Sequence, residues 1–335
     1  MSKPTFAVVT GATVHSIVFG DVGQCMDTVH NAYITYGVGQ SVNPHSLFLR
    51  PIGQPTSRII ALPAYLGSTP PIAGIKWISS FPENVSRGLP RASAVLILND
   101  LETGYPYACL EASIISAART AASTVIAAHA VSLVSNRPFH TIGIVGNGLI
   151  ARYIYEFFTA FGWRFDHVHL HDIAPGKSWQ FADDLGIIPN VTVHEGSVEP
   201  LLKKSDLIVF ATTASEPYLN DPYFFSHNPI VLNISLRDLG TDIISSSYNV
   251  VDDIEHVLRA DTSMYLTEKL LGHREFINAT IPQVLIGGVD LRHDRPIIIS
   301  PFGLGILDIA VGAWVYEEAK KRGALIEIPD FFDNP

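Results

Sequence analysis

Thr141-Ile142-Gly143-Ile144-Val145-Gly146-Asn147-Gly148-Leu149-Ile150-Ala151 decides how the rest of the chain is read. It begins as a short apolar strand, turns tightly and enters a helix-like stretch that continues to about Phe161. Gly146 permits the turn, Gly148 removes a side chain where a pyrophosphate would approach, and Ala151 is the third small position, where helix and strand pack closely. Free amides at the helix start would hold phosphate oxygens, so Gly146, Asn147, Gly148, Leu149 and Ile150 are candidate cofactor residues. Glycine turns also occur for purely structural reasons, so the context matters. Asp172 lies 21 residues beyond Ala151, at the end of the strand-like run His167-Val168-His169-Leu170-His171. A carboxylate there accepts hydrogen bonds from the adenosine ribose and repels a 2′-phosphate, which favours NAD over NADP. The nearby Lys177 leaves NADP tolerance open. Ala211-Thr212-Thr213-Ala214-Ser215 follows a further apolar strand. Thr212 and Thr213 either pass beside the cofactor or open an ordinary loop.

Outward from this motif, Leu207–Ala211, Ile230–Ile234 and Asn249–Val251 read as further strands, with helix-compatible segments between several of them. That alternation predicts a parallel α/β sheet of the Rossmann type over residues 138–305. Before it the pattern differs. Asp21–Tyr36 has Val22, Met26, Val29 and Tyr33 at helical spacing. Leu47–Arg50, Ser57–Pro63, Ile72–Ile78 and Ala94–Asn99 read as strands, with a hairpin connection around Gly104. Glu111–Ser132 reads as one long helix of small residues, and the polar, Pro-containing segment Val134–Pro138 as the domain boundary. Asp308–Arg322 is again helix-like, with Ile309, Gly312, Ala313, Tyr316 and Ala319 on one side and charged residues on the other. The expected organisation is a mixed α/β substrate-binding and dimerisation domain of residues 1–135 and 306–335, to which the last helix returns, beside the Rossmann domain.

The 335 residues carry 22 Lys plus Arg and 32 Asp plus Glu, for a formal charge of −10, and are 47% hydrophobic. This supplies a core and excludes a disordered chain. The acidic balance and scattered basic residues argue against nucleic acid as a partner. Two cysteines, Cys25 and Cys109, make no disulfide scaffold, which favours a reducing compartment. No secretory signal is apparent at the start, and Ala112–Val134 is interrupted by Arg119 and His129, short of the apolar run a membrane span needs. A cytoplasmic protein is expected. His167, His169 and His171 alternate along one strand; strand spacing keeps them apart, no cysteine is near, and no HExxH spacing occurs, so no metal is expected.

Three cations interrupt apolar segments: Arg58 before Ile59-Ile60-Ala61-Leu62, Lys76 in Gly74-Ile75-Lys76-Trp77-Ile78, and Arg119 in Ser116-Ala117-Ala118-Arg119-Thr120-Ala121. Burying them without partners is costly, so each sits at an edge, pairs with an acid or faces a polar pocket. For Arg119 the competing reading is a pair with Glu111, and for Lys76 a head group that reaches water.

With these stretches in view, the chain resembles the ornithine cyclodeaminase/mu-crystallin family over nearly its full length. The resemblance rests on Gly74–Ile78, Arg91-Ala92-Ser93-Ala94-Val95-Leu96-Ile97-Leu98-Asn99-Asp100, Glu111–Ala122, Asn233-Ile234-Ser235-Leu236-Arg237-Asp238 and Pro301-Phe302-Gly303-Leu304-Gly305-Ile306-Leu307-Asp308-Ile309. It implies NAD as cofactor, a small amino-acid substrate and a homodimer. It places substrate-carboxylate arginines at Arg58 and Arg119, the active-site lysine at Lys76 and a catalytic aspartate at Asp238. The Arg237-Asp238-Leu239 context departs from the cyclodeaminase pattern and fits the branch that forms diaminopropionate. The implied reaction is NAD-dependent oxidation and hydrolysis of N-(2-amino-2-carboxyethyl)-L-glutamate to 2-oxoglutarate and L-2,3-diaminopropionate. Ornithine cyclodeamination, alanine dehydrogenation and ketimine reduction are the alternatives within the family. A non-catalytic, crystallin-like ligand binder is the alternative outside enzymology.

Overall fold

Alternating apolar residues in the N-terminal third build one sheet whose two faces have different fates. The computed structural model describes residues 5–291 and 294–332. It divides into two units, Met1–Arg119 with Leu304–Pro335, and Thr120–Gly303. In the first, β1 (Phe6–Val9) leads into helices α1 (Gly11–Gly20) and α2 (Val22–Gly37). Asp21 ends one helix and caps the next, its carboxylate accepting the Gln24 N–H at 2.9 Å. Then come β2 (Ser41–Val42), β3 (Leu47–Leu49), β4 (Arg58–Leu66), β5 (Ile72–Ser80), β6 (Ala92–Asn99) and β7 (Pro106–Glu111).

Helix α3 (Ser113–Ser135) follows and runs across the division between the units. The boundary read from sequence lay in the turn after this helix; the contacts divide the chain inside it. At 23 residues α3 is long and apolar enough to cross a membrane by length and composition, which the sequence reading denied. Its Ile115, Ala118, Ala121, Ala122, Val125, Ala128 and Val131 are nevertheless fully buried within the protein. Glu111, read as the helix start, closes β7 instead. Its carboxylate accepts the N–H groups of Ser113 at 2.8 Å and Ile114 at 3.2 Å, so it caps α3.

The second unit is a single sheet in which every pairing is parallel. Its elements in chain order are β8 (Thr141–Val145), α4 (Leu149–Ala160), β9 (His167–His171), α5 (Lys177–Asp184), β10 (Val191–Val193), α6 (Glu199–Lys204), β11 (Leu207–Phe210) and β12 (Ile230–Asn233). They are followed by α7 (Thr241–Ser245), β13 (Tyr248–Val251), α8 (Ile254–Val257), α9 (Ser263–Leu271), β14 (Ile277–Thr280), α10 (Ile281–Ile286) and β15 (Ile297–Ser300). The strand order is β10-β9-β8-β11-β12-β15-β13-β14. The order reverses between β8 and β11, the place where a doubly wound sheet opens its ligand crevice. Both faces are covered, so the central strands read as unbroken apolar runs; β11, β12 and β15 are buried at every position.

After Gly303 the chain returns to the first unit as α11 (Gly305–Lys321) and β16 (Ile326–Ile328). The first unit's sheet runs β16-β1-β7-β6-β5-β4-β2, with β3 also on β4. Helix α11 packs on β4, β5 and β6, as its apolar side predicts. Two glycines ease the approach: a Cβ on Gly312 would lie 1.9 Å from Leu96 Cδ2, and one on Gly74 would lie 3.3 Å from Ile309 Cγ2. The opposite face of the sheet carries Leu47, Leu49, Trp77 and Val95, all exposed in the single chain.

The alternating histidines share one face of β9 but differ in burial. His169 is buried, its Nδ1 lying 3.0 Å from Nε2 of His194, while His171 Nδ1 bonds the His194 carbonyl oxygen at 2.8 Å. Burial, then the charges of His194, Lys204 and His167, hold the His169 imidazole down at about 4. The unfolded chain therefore takes up this proton near the ordinary value of 6.5, and the folded chain only near 4. The contribution is full above pH 6.5 and is lost as pH falls through that window. Melting temperatures measured across it should fall with pH, and less steeply in a His169→Asn variant.

Candidate active site

The inner face of the first sheet places its cations by strand alternation. Arg58, Leu62, Lys76 and Ser80 share that face, because Leu62 pairs with Lys76 and Arg58 with Ser80 across β4 and β5. Lys76 is 1% exposed. Its Nζ lies 2.7 Å from Asp308 Oδ2 on α11 and donates to Ser116 Oγ on α3 at 3.1 Å. Arg119, one turn along α3 from Ser116, donates through Nε to Asp308 Oδ1 at 3.0 Å. Asp308 is fully buried and grips one cation with each oxygen. This is the partner the sequence reading lacked: neither Glu111 nor solvent, but a helix that returns from the far end of the chain.

One carboxylate against two cations leaves a net positive cluster, suited to a substrate carboxylate. Burial pulls the Lys76 ammonium down; Asp308 pushes it back up, Arg119 pulls it down, and it comes to rest at about 8. A lysine near this value holds charge at neutral pH yet exchanges its proton readily. Further along the same face Arg91 donates through Nη1 to Ser80 Oγ at 3.0 Å. Arg58 starts β4 opposite Ser80, so two arginines flank that serine. Arg91 precedes β6, and it is its long side chain, reaching the Ser80 hydroxyl, that brings its charge here; the local sequence does not display that contact.

In the second unit the glycine turn lies at the strand-order reversal. Gly146 has φ +84°, and a Cβ there would lie 2.7 Å from the Ala211 carbonyl oxygen. Gly148 faces open space and precedes α4 without any side-chain cap, so the first amides of that helix have no side-chain acceptor at its cap position. The exposed Leu149 and the half-buried Ile150 begin that helix. Asn147 turns its side chain inward, where its Oδ1 accepts from Ser178 Oγ at 2.6 Å. Its backbone N–H donates to Asp172 Oδ2 at 2.8 Å, and Ala174 N–H to Asp172 Oδ1 at 2.8 Å. A carboxylate has about four acceptor positions, so the half-buried Asp172 keeps room for ribose hydroxyls. An uncapped helix start, a glycine cradle and a terminal carboxylate fit NAD.

Asp238 is fully buried. Thr212 Oγ1 donates to its Oδ1 at 2.6 Å and Ser235 Oγ to its Oδ2. Thr212 is thus committed to Asp238, whereas Thr213 is exposed on the same loop. Among the described residues no group of three or more His, Cys, Asp or Glu is placed to hold a metal ion.

A profile of the ornithine cyclodeaminase/mu-crystallin family matches residues 7–323, and the chain belongs to that family. It is 29% identical to the N-((2S)-2-amino-2-carboxyethyl)-L-glutamate dehydrogenase of Staphylococcus aureus, over 89% of this chain and 90% of that protein. It is also 29% identical to the alanine dehydrogenase of Archaeoglobus fulgidus, over 97% and 98% of the two chains. Among solved structures, an archaeal alanine dehydrogenase dimer with bound NAD superposes with a TM-score of 0.85 at 26% identity, covering 98% of this chain and all of that one. The protein is an NAD-dependent oxidoreductase acting on a CH–NH donor.

Replacing Asp308 by Asn keeps its shape but leaves Lys76 and Arg119 buried without a counter-charge. Removing one partner from a buried ion pair costs about 3–5 kcal/mol. Urea unfolding of the Asp308→Asn variant should show a loss of that order.

Proposed function

We propose that the chain oxidises N-(2-amino-2-carboxyethyl)-L-glutamate with NAD and hydrolyses the product to 2-oxoglutarate and L-2,3-diaminopropionate. The observation that carries the proposal is the charge of the first sheet's inner face. Arg58 and Lys76 lie on that face, Arg91 donates to its Ser80, and Arg119 on α3 shares with Lys76 the carboxylate of Asp308. Such an excess suits a substrate with three carboxylates. A single amino-acid carboxylate leaves most of it unanswered, and the second amine of ornithine is repelled by it. The likeness to the Staphylococcus aureus dehydrogenase, which its name assigns to this substrate, points the same way.

Arg119 and Arg58 hold carboxylates through forked hydrogen bonds, and Arg91 with Ser80 adds a further carboxylate position along the face. Ser80 lies four strand positions from Lys76, a spacing of about 13 Å that long arginine side chains shorten. Bound NAD supplies a hydride acceptor. Lys76 takes the proton of the substrate's secondary amine or anchors a carboxylate. Asp238 directs the proton transfers that let water cleave the oxidised carbon–nitrogen bond and the amine depart.

Purified protein given NAD and this substrate should form NADH, 2-oxoglutarate and 2,3-diaminopropionate in equal amounts. Folded, NAD-binding protein that yields none of them refutes the proposal. An Arg91→Gln variant should raise KM about tenfold with little change in kcat, the pattern of a lost substrate contact.

We further propose a cytoplasmic homodimer. Cys25 and Cys109 are both free thiols, in keeping with a reducing compartment. The exposed apolar face bearing Leu47, Leu49, Trp77 and Val95 is a surface a second copy would cover. Light scattering should give twice the chain mass, and a Trp77→Glu, Val95→Glu pair should give the single-chain mass.

A further inference from the structure

One hydroxyl touches both buried cations of the first unit. Ser116 Oγ accepts from Lys76 Nζ at 3.1 Å and lies 3.5 Å from Arg119 Nη2. Ser116 stands on α3 in a run of small residues, half-buried itself, with Ile115, Ala117 and Ala118 buried beside it. The Glu111 carboxylate fixes the first turn of α3, and the Ser116 N–H donates to the Ala112 carbonyl oxygen at 2.9 Å. A rigid stretch of backbone thus carries the hydroxyl to the tip of a lysine 40 positions earlier in the chain.

Lys76 Nζ is a tetrahedral nitrogen on a flexible four-carbon stem. Charged, it has three N–H groups; neutral, it keeps two of them and a lone pair. Two acceptors reach it, Asp308 Oδ2 from α11 at 2.7 Å and Ser116 Oγ from α3. Together they hold both N–H groups of the neutral amine and leave the lone pair at the third corner. Asp308 alone fixes one N–H, and the nitrogen can then turn about the Cε–Nζ bond until the lone pair points elsewhere. Arg119 has donors alone and cannot replace the hydroxyl. Nor can Leu62 on β4 or Leu96 on β6, the apolar cross-strand neighbours of Lys76.

We propose that Ser116 is a positioning residue for Lys76: with Asp308 it holds the N–H groups of the neutral amine, so that the lone pair faces the substrate nitrogen. This rests on the proposed oxidation of N-(2-amino-2-carboxyethyl)-L-glutamate, in the form where Lys76 takes the proton of the secondary amine. That proton passes from the substrate nitrogen to the Nζ lone pair. The electron pair left on the substrate nitrogen is the one that later forms the C=N bond. Lys76 becomes an ammonium whose third N–H faces the substrate, while Ser116 and Asp308 keep the contacts they had. Nothing is oxidised or reduced in this transfer. The hydroxyl oxygen also favours the charged form over the neutral one, because a hydrogen bond from a cation is the stronger. In the sequence Ser116 is one more small residue of an alanine-rich helix, and its contact becomes visible only when β5 lies against α3.

Two variants and a substrate-free measurement test this. Alanine is the best helix former, so Ser116→Ala should fold. In rapid mixing with NAD and the substrate, its rate of first NADH formation should fall about fivefold, the worth of one hydrogen bond, with KM changed less than about twofold. The neutral amine is the active form, so the rate rises with pH through the Lys76 titration, at about 8 in the wild type. The charged groups facing Lys76 are Asp308 on α11 and Arg119 on α3, and neither is altered. Loss of the hydroxyl oxygen weakens the ammonium, so this limb should move to lower pH, which a merely structural serine would not cause. Ser116→Thr keeps the hydroxyl and should stay within about twofold of the wild-type rate. An unchanged rate or an unmoved limb in Ser116→Ala, or a threonine variant no better than the alanine one, overturns the proposal and leaves the function standing. Wild-type protein that does not turn the substrate over refutes the function. NMR of labelled lysine then decides the contact, with Lys76 assigned by a Lys76→Met variant. The Lys76 titration should move down in Ser116→Ala, and an unmoved titration overturns the proposal.

Discussion

Two buried cations share one buried carboxylate, and the first unit is arranged around that contact. At an effective dielectric near 20, each ion contact at the observed separations is worth about 5–6 kcal/mol of gross attraction. Desolvation costs several kcal/mol for each ion, so the net gain is small and the penalty for losing a partner is large. The requirement falls on α11: Asp308 must stand between Lys76 on β5 and Arg119 on α3. Gly312 makes this possible by letting the helix approach the sheet at Leu96 more closely than a side chain there allows. The last helix of the chain therefore supplies the counter-charge of this cluster as well as part of the core.

Charge left over from that contact is what the first unit presents to an anion. Asp308 neutralises one positive charge of two, and Arg58 and Arg91 add more along the same face. The second unit solves a different problem. It presents backbone amides at a helix start, a glycine turn and a carboxylate at a strand end, and keeps Asp238 beneath a layer of hydroxyls. The first unit's site is built from side-chain charge and the nucleotide site largely from backbone geometry. For that reason the nucleotide site leaves a short sequence motif, whereas the other leaves scattered single residues.

The sequence made β8, the turn at Gly146, β9 and Asp172 legible, because a strand, a tight turn and a helix are local and each has its own residue preferences. It also marked Lys76 and Arg119 as out of place in apolar segments. It did not reveal β1, β7, β10 or the strands after β13, several of which are short. The alternation of the histidines was legible, but their pairing was not. His194 approaches His169 only because β10 lies beside β9.

What the sequence determined by itself was the parallel nucleotide-binding sheet and the presence of cations that needed an answer. Periodicity and the cost of burying charge are properties that neighbouring residues already express. Only the tertiary structure decided what answers them. Asp308 is 232 positions from Lys76 and 189 from Arg119, Thr212 donates to Asp238 from another loop, and Arg91 reaches the Ser80 hydroxyl from the start of the next strand. A charge accepts whichever opposite charge the packing brings near, and packing is settled by shape across the whole unit rather than by order along the chain.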